Sequence, residues 1–308
     1  MSTDSNDSLN HYFPFRIPPD KEFEHGLPPG SLYLVATPIG NLRDISLRAL
    51  TVLSLVDIVA AEDTRRAGIL LDAYGIQKKR ISCFAHNEEK QSKYILSLLE
   101  EGKTVAMVSD AGMPGISDPG ARLVRQAVDA GVKLCVVPGA SAGITALAGS
   151  GLATDTYAFS GFFPRTTKGK SEWLALYSRF PGTLLFYESP KRLLSTLRSI
   201  QLAWGERPCC IARELTKHFE QYVRGSFSEV IAELEEVPQL KGEIVVLIEG
   251  WRPPSEPNIP GEDMEEDMKQ FGSLLLDSGM GKKEASRELA RKTGLSAKYC
   301  YDFLIKMI

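Results

Sequence analysis

From Ser31 onward the chain alternates short apolar runs with amphipathic stretches, and this rhythm limits its architecture more than any other feature. Candidate strands occupy 32–36, 57–61, 103–109 and 133–137, and helical patterns lie near 46–55, 64–74, 88–101, 121–130 and 142–150. Strands alternating with helices of this length predict a mostly parallel sheet covered on both faces. Ser46, Thr64, Asp118 and Ser141 stand where helix N-caps are expected. A second α/β segment follows a change of character near 150–155. Its expected strands are 156–160, 182–187, 208–212, 220–225 and 243–248, with helices over 169–179, 191–203 and 228–235.

The flanks differ. Residues 1–29 are polar, proline-bearing and without periodicity, which predicts a disordered extension. Four prolines between Arg252 and Pro260, then six acidic residues between Glu256 and Asp267, mark a linker. Beyond it, 284–291 and 297–306 read as helices around Thr293-Gly294-Leu295-Ser296, a helix-turn-helix pattern with seven Lys or Arg against three acids over 281–307. The expected organisation is an extension (1–29), an N-terminal α/β domain (30–152), a second α/β domain (153–252) and a linker with a basic helical domain (253–308).

Charge and cysteine content narrow the function. A formal net charge of −3 gives no global attraction to nucleic acid, so any such contact needs local patches. Five cysteines without C-x-x-C spacing disfavour a disulfide framework and a structural zinc site, and Cys83, Cys135, Cys209 and Cys210 read as buried free thiols. No apolar run reaches membrane-spanning length and the N-terminus has no signal-peptide pattern, so a reducing cytoplasm is the expected setting.

Three turns carry the chemistry. The first strand runs into Thr37-Pro38-Ile39-Gly40-Asn41-Leu42, and the strand over 103–109 into a loop from Ser109 to Gly120 rich in glycine and proline. The strand over 133–137 ends in Val137-Pro138-Gly139-Ala140-Ser141-Ala142. Such turns at strand ends bring backbone close to a ligand. Each is also compatible with ordinary strand-to-helix packing; their shared edge favours a site. Asp110 and Asp118 bracket the long loop and suit the amino end of a zwitterion or ribose hydroxyls, or else a turn and a cap. Neither G-x-G-x-x-G after the first strand nor G-x-x-x-x-G-K-[ST] occurs, which disfavours dehydrogenases, P-loop enzymes and common Rossmann methyltransferases.

The blocks TPIGNL (Thr37), EDTRR (Glu62), HNE (His86), SDAGMPGISDPG (Ser109), PGASA (Pro138), GFFP (Gly161), FYESPKRL (Phe186), ARELTK (Ala212) and KGE (Lys241) resemble, in order, the tetrapyrrole methylase superfamily of class III methyltransferases. The resemblance is strongest to its bacterial 16S rRNA (cytidine-2′-O)-methyltransferase branch. It implies two α/β domains with a cleft between them, plus a small helical C-terminal domain. It also implies S-adenosylmethionine (SAM) as cofactor, a homodimer, and the small ribosomal subunit as partner. By resemblance SAM would lie against Pro38, Asp110, Gly112, Met113, Ile116, Ser141 and Ala142, with Ala212, Lys241 and Gly242 from the second domain. Met113, Ala140, Lys191 and Ala67 depart from the family's Thr, Pro, His and Thr.

Methyl transfer is an in-line displacement that needs positioning, and no metal ligand set is expected. A ribose hydroxyl would benefit from a proton acceptor or an oxyanion stabiliser. Glu62, Arg65 and Glu88 are expected to line the reacting centre. Asp63, His86, Asn87, Arg213, Glu214 and Lys217 are further candidates, and Glu62 or Asp63 alternatively caps a helix. Arg165, Lys168 and Lys170 beside Phe162-Phe163-Pro164, with Lys282 and Lys283, are the expected RNA contacts. Two alternatives stay open: a porphyrinoid carbon methylase of the same fold, and a non-catalytic SAM-binding, ribosome-associated factor.

Overall fold

The computed structural model describes residues 26–252, 262–293, 295 and 297–307. Most of the expected N-terminal extension (to residue 25), the linker over 253–261, and Gly294 and Ser296 of the helical turn lie outside the described residues.

The first sheet contains β1 (Ser31–Val35), β2 (Ile58–Ala61), β3 (Lys79–Ser82), β4 (Val105–Val108) and β5 (Lys133–Val137). Its order is β3-β2-β4-β1-β5 and every neighbouring pair is parallel. β1, β2 and β4 are buried at every position. Their residues divide by parity between two cores. Tyr33, Val35, Val59, Ala61, Ala106 and Val108 pack with α1 (Leu47–Leu55) and α2 (Thr64–Ala73). Leu32, Leu34, Ile58, Ala60, Val105 and Met107 pack with α3 (Glu88–Glu100) and α4 (Ala121–Asp129). Burial on both faces is why these strands read as unbroken apolar runs. β3 escaped sequence assignment because Lys79-Arg80-Ile81-Ser82 is an edge strand whose first two residues are exposed.

Helix entry differs in detail from expectation. Ser46 caps α1 through its hydroxyl, 3.0 Å from the Ala49 nitrogen. Asp63, one residue before the expected Thr64, caps α2. Gly120 rather than Asp118 occupies the N-cap of α4, and Ser141 at the start of α5 (Ala142–Ser150) makes no side-chain cap bond.

The second sheet joins β6 (Tyr157–Phe162), β7 (Thr183–Glu188), β8 (Pro208–Arg213), β9 (Gln221–Ser226) and β10 (Ile244–Ile248) in the order β6-β7-β10-β8-β9. Only β6 and β7 run parallel; the remaining pairs are antiparallel. One face buries Phe186, Ile211, Val223 and Val246 against α6 (Thr167–Tyr177), α7 (Leu193–Trp204) and α8 (Phe227–Glu235). The other face, through Leu185, Cys210, Ala212, Val245 and Leu247, packs on Ala146 and Leu147 of α5 and on Ile39 after β1. That shared core welds the two sheets into one compact unit ending at Gly250.

The chain beyond it forms a separate helical unit: α9 (Glu262–Asp277), α10 (Lys282–Thr293) and α11 (Ala297–Lys306), cored by Met268, Leu289, Cys300 and Leu304. All five cysteines are free thiols; Cys135 is half-buried and the other four are buried. No helix among the described residues is long and apolar enough to cross a membrane.

Candidate active site

The order β3-β2-β4-β1-β5 creates a topological switch between β4 and β1, because the chain leaves β1 toward β2 and leaves β4 toward β5. Open parallel sheets bind ligands at the carboxyl ends of such a strand pair. The loops leaving β1 and β4 are tied together there. The Thr37 amide donates to the Gly112 carbonyl at 2.9 Å, and the Gly112 amide donates back to Thr37 at 3.1 Å. The Thr37 hydroxyl also donates to the Ser109 carbonyl at 3.2 Å.

A cavity of about 360 Å³ opens over this bridge. The first sheet contributes Gly112, Met113, Ile116, Asp118, Ser141 and Ala142; the second contributes Phe162, Tyr187, Leu215 and residues 242–245. Its size falls within the range of small-molecule sites, roughly 300–1,000 Å³. Among the described residues, three acids line it, Asp118, Glu188 and Glu243, and no Lys or Arg does. That charge set suits a ligand with cationic groups and gives a polyphosphate nothing to pair with.

The three acids have different surroundings. Glu188 is engaged, accepting from the Ser189 amide at 2.7 Å and the Thr196 hydroxyl at 2.7 Å, and pairing with Arg192 at 3.2 Å. Glu243 pairs with Lys217 at 3.1 Å. Asp118 is set apart: burial and then the nearby Glu62 carboxylate push its carboxyl up to about 6. Burial, followed by the Asp110 carboxylate, raises Glu62 as well.

Two sequence blocks interlock to hold one wall. Glu214 of ARELTK accepts from the Glu243 amide at 3.0 Å and from the Lys217 ammonium at 2.9 Å. Glu214 and Thr216 both have left-handed backbone, and Leu215 between them reaches the cavity. Strain at such non-glycine positions is maintained only by surrounding contacts.

The expected site residues divide clearly. Gly112, Met113, Ile116, Ser141, Ala142 and Gly242 line the cavity; Pro38, Asp110, Ala212 and Lys241 are outside its lining. Asp110 instead accepts from the Asp63 amide at 3.0 Å and pairs with Arg66 at 3.4 Å. None of the three expected catalytic residues is among the described residues that line the cavity. Arg65 is 88 % exposed and forks onto Asp63. Glu88 sits on the start of α4, accepting from the Gly120 and Arg122 amides. Glu62 lies close enough to the cavity acid Asp118 for its carboxylate to raise the Asp118 carboxyl. Arg165 and Lys168 are exposed, Lys170 is half-buried, and Lys282 and Lys283 are exposed on the helical unit. Tyr187, Glu188, Leu215 and Glu243 were missed as site residues although they lie inside the quoted blocks; strand-end position was the available signal.

The tetrapyrrole (corrin/porphyrin) methylase family matches residues 31–231, well over half of the chain. The chain belongs to the tetrapyrrole methylase family. Among curated relatives, this family member is 41% identical over 271 residues to "Ribosomal RNA small subunit methyltransferase I" of Streptococcus pyogenes serotype M1, covering 88% of this chain and 93% of the relative. It is 40% identical to the protein of the same name from Synechocystis sp., covering 90% and 98%. Among solved structures the family member resembles a uroporphyrin-III-C-methyltransferase from Thermus thermophilus, with TM-score 0.52 and 22% identity over 71% of this chain and 94% of that one. It also resembles a diphthine synthase, with TM-score 0.57 and 15% identity over 71% and 89%. These distant structures share its fold.

Proposed function

We propose that the chain is a SAM-dependent methyltransferase acting on the ribose 2′-hydroxyl of a cytidine in the decoding region of 16S rRNA. The observation that carries this reading is the 41% identity, spanning nearly the whole of both chains, to a ribosomal RNA small subunit methyltransferase. The cavity fits the cofactor: its volume is adequate, its wall combines small residues such as Gly112, Ala142 and Gly242 with apolar and aromatic side chains, and its charged lining is acidic. Gly112, Met113, Ile116, Ser141, Ala142 and Gly242 would hold SAM; Pro38, Asp110, Ala212 and Lys241, which the resemblance also implies, lie outside the lining. SAM supplies an electrophilic methyl group carried on a sulfonium.

The chain's own residues position the partners and exclude water. Asp118, whose carboxyl burial and then the Glu62 carboxylate push up to about 6, is suited to take up the hydroxyl proton. Arg65 and Glu88 act through Asp63 and the start of α4 and so position the site without touching the reacting atoms. Arg165, Lys168 and Lys170, with Lys282 and Lys283 of the helical unit, supply local positive charge for RNA in a chain of net charge −3. The setting is the cytoplasm and the assembly a homodimer, as the family resemblance implies.

The test is to incubate the protein with methyl-labelled SAM and unmethylated small subunits, then map label by nuclease digestion and mass spectrometry. Label on a cytidine ribose is expected. SAM binding without label on RNA would remove this reading in favour of a porphyrinoid substrate or a non-catalytic role.

A further inference from the structure

We infer that Phe162 is the stacking platform for the base of the nucleotide whose ribose is methylated, an inference that rests on the RNA reading above. The argument begins with strand register. β6 pairs with β7 as Phe159↔Leu185 and then as Phe162↔Tyr187, so three steps along β6 match two along β7. The extra residue is a β-bulge containing Gly161, whose φ of +72° is left-handed backbone. Without the bulge, Phe159 and Phe162 would point to opposite faces of the sheet, because side chains alternate. With it, Phe162 joins Phe159 and Tyr187 on the cavity face and Phe163 turns into the core behind.

Exposure follows that geometry. Phe163 is 1% exposed, packed on Trp173 and Phe186, whereas Phe162 lines the cavity and is 61% exposed. The Phe162 ring is steadied by Tyr187, centroids 5.4 Å apart at 67°, and Tyr187 by Phe159 at 4.8 Å and 61°. The chain just after the ring is pinned as well. Arg192 donates to the Phe163 carbonyl at 3.0 Å and the Pro164 carbonyl at 2.9 Å while paired with buried Glu188. A propped aromatic left largely in water beside a ligand cavity, followed by Arg165, Lys168 and Lys170, matches how proteins hold single-stranded nucleotides: a flat face for the base and cations for the phosphates.

The test compares Phe162→Leu with Phe162→Trp in the full-length protein, using SAM and unmethylated small subunits. Phe162→Leu keeps apolar bulk but removes the flat face. Its kcat/KM for the subunits should fall roughly ten- to a hundredfold, while the Kd for SAM, read by calorimetry, stays within about twofold of wild type. Phe162→Trp should retain kcat/KM within about threefold. Wild-type kcat/KM in Phe162→Leu overturns the inference, as does an equal loss of SAM affinity, which would make Phe162 a cofactor wall. Equal losses in both variants overturn it too, since any close-packed side chain behaves that way. If wild-type protein itself transfers nothing to RNA, the functional reading fails and takes the inference with it.

Discussion

Oε1 of Glu88, the first residue of α3, lies 2.9 Å from the backbone nitrogen of Gly120, so one helix closes the N-terminus of the next. The same oxygen accepts from the Arg122 amide at 3.0 Å, and Gly120 has no side chain with which to cap α4 itself. A carboxylate supplied from elsewhere in the fold does the work of an N-cap and also favours the helix dipole. Glu88→Ala should therefore destabilise the chain by about 1 kcal/mol, and Glu88→Gln by less. A urea midpoint unchanged in Glu88→Ala would contradict this.

Asp118 predicts a pH signature. Burial and the Glu62 carboxylate raise its folded pKa above 3.8, to about 6. A raised acid favours folding in its protonated form, so that contribution is complete below about pH 4 and lost as pH rises through about 6. Asp118→Asn should equal wild type in stability near pH 4 and exceed it at pH 7. Thermal unfolding across that window checks it; a pH-independent difference would refute it. Glu62→Gln should lower the Asp118 pKa, readable from side-chain carboxyl carbon resonances.

Gly242 cannot carry a side chain without displacing its neighbour. Its φ is +93°, and an added Cβ would collide with the Glu214 carboxylate. Gly242→Ala should cost roughly 1–3 kcal/mol and weaken SAM binding, because the displaced Glu214 holds the segment carrying Leu215. Calorimetric titration alongside denaturant unfolding separates the two effects, and undiminished SAM affinity would show that Glu214 does not hold the wall carrying Leu215.

Arg192 neutralises a carboxylate whose side chain is only 1% exposed. Removing one member of a buried pair leaves the other charged and unpaired, at a cost of about 3–5 kcal/mol. Arg192→Met should approach that loss, and Arg192→Met combined with Glu188→Gln should recover part of it. A double variant no more stable than the single one would show that the carbonyl contacts to Phe163 and Pro164 dominate.

How much of this was legible beforehand depended on whether the information was local. β1, β2 and β4 announced themselves as apolar runs because both faces are buried, while β3, exposed at the edge, did not. The turns after β1, β4 and β5, which line the cavity, stood out in the sequence because glycine and proline mark unusual backbone directly. The side chains opposite them were harder to find. Nothing near Glu88 in sequence shows that its partners are 32 and 34 positions away, and nothing in Phe162-Phe163 shows which ring faces water. That choice belongs to the bulge at Gly161, a property of pairing between strands. Asp63 was weighed beforehand as a helix cap, and capping is the role its contact with the Arg65 amide gives it.

The bridge between Thr37 and Gly112 also bears on biosynthesis. Its two residues are 75 positions apart, and the opposite cavity wall at 242–245 comes more than a hundred positions later. A growing chain therefore has no complete cofactor cradle until almost the whole compact unit has left the ribosome tunnel. Cofactor capture by nascent chains of stepped length would then report completion of the unit, remaining silent through most of synthesis and rising only once β10 is free to pair.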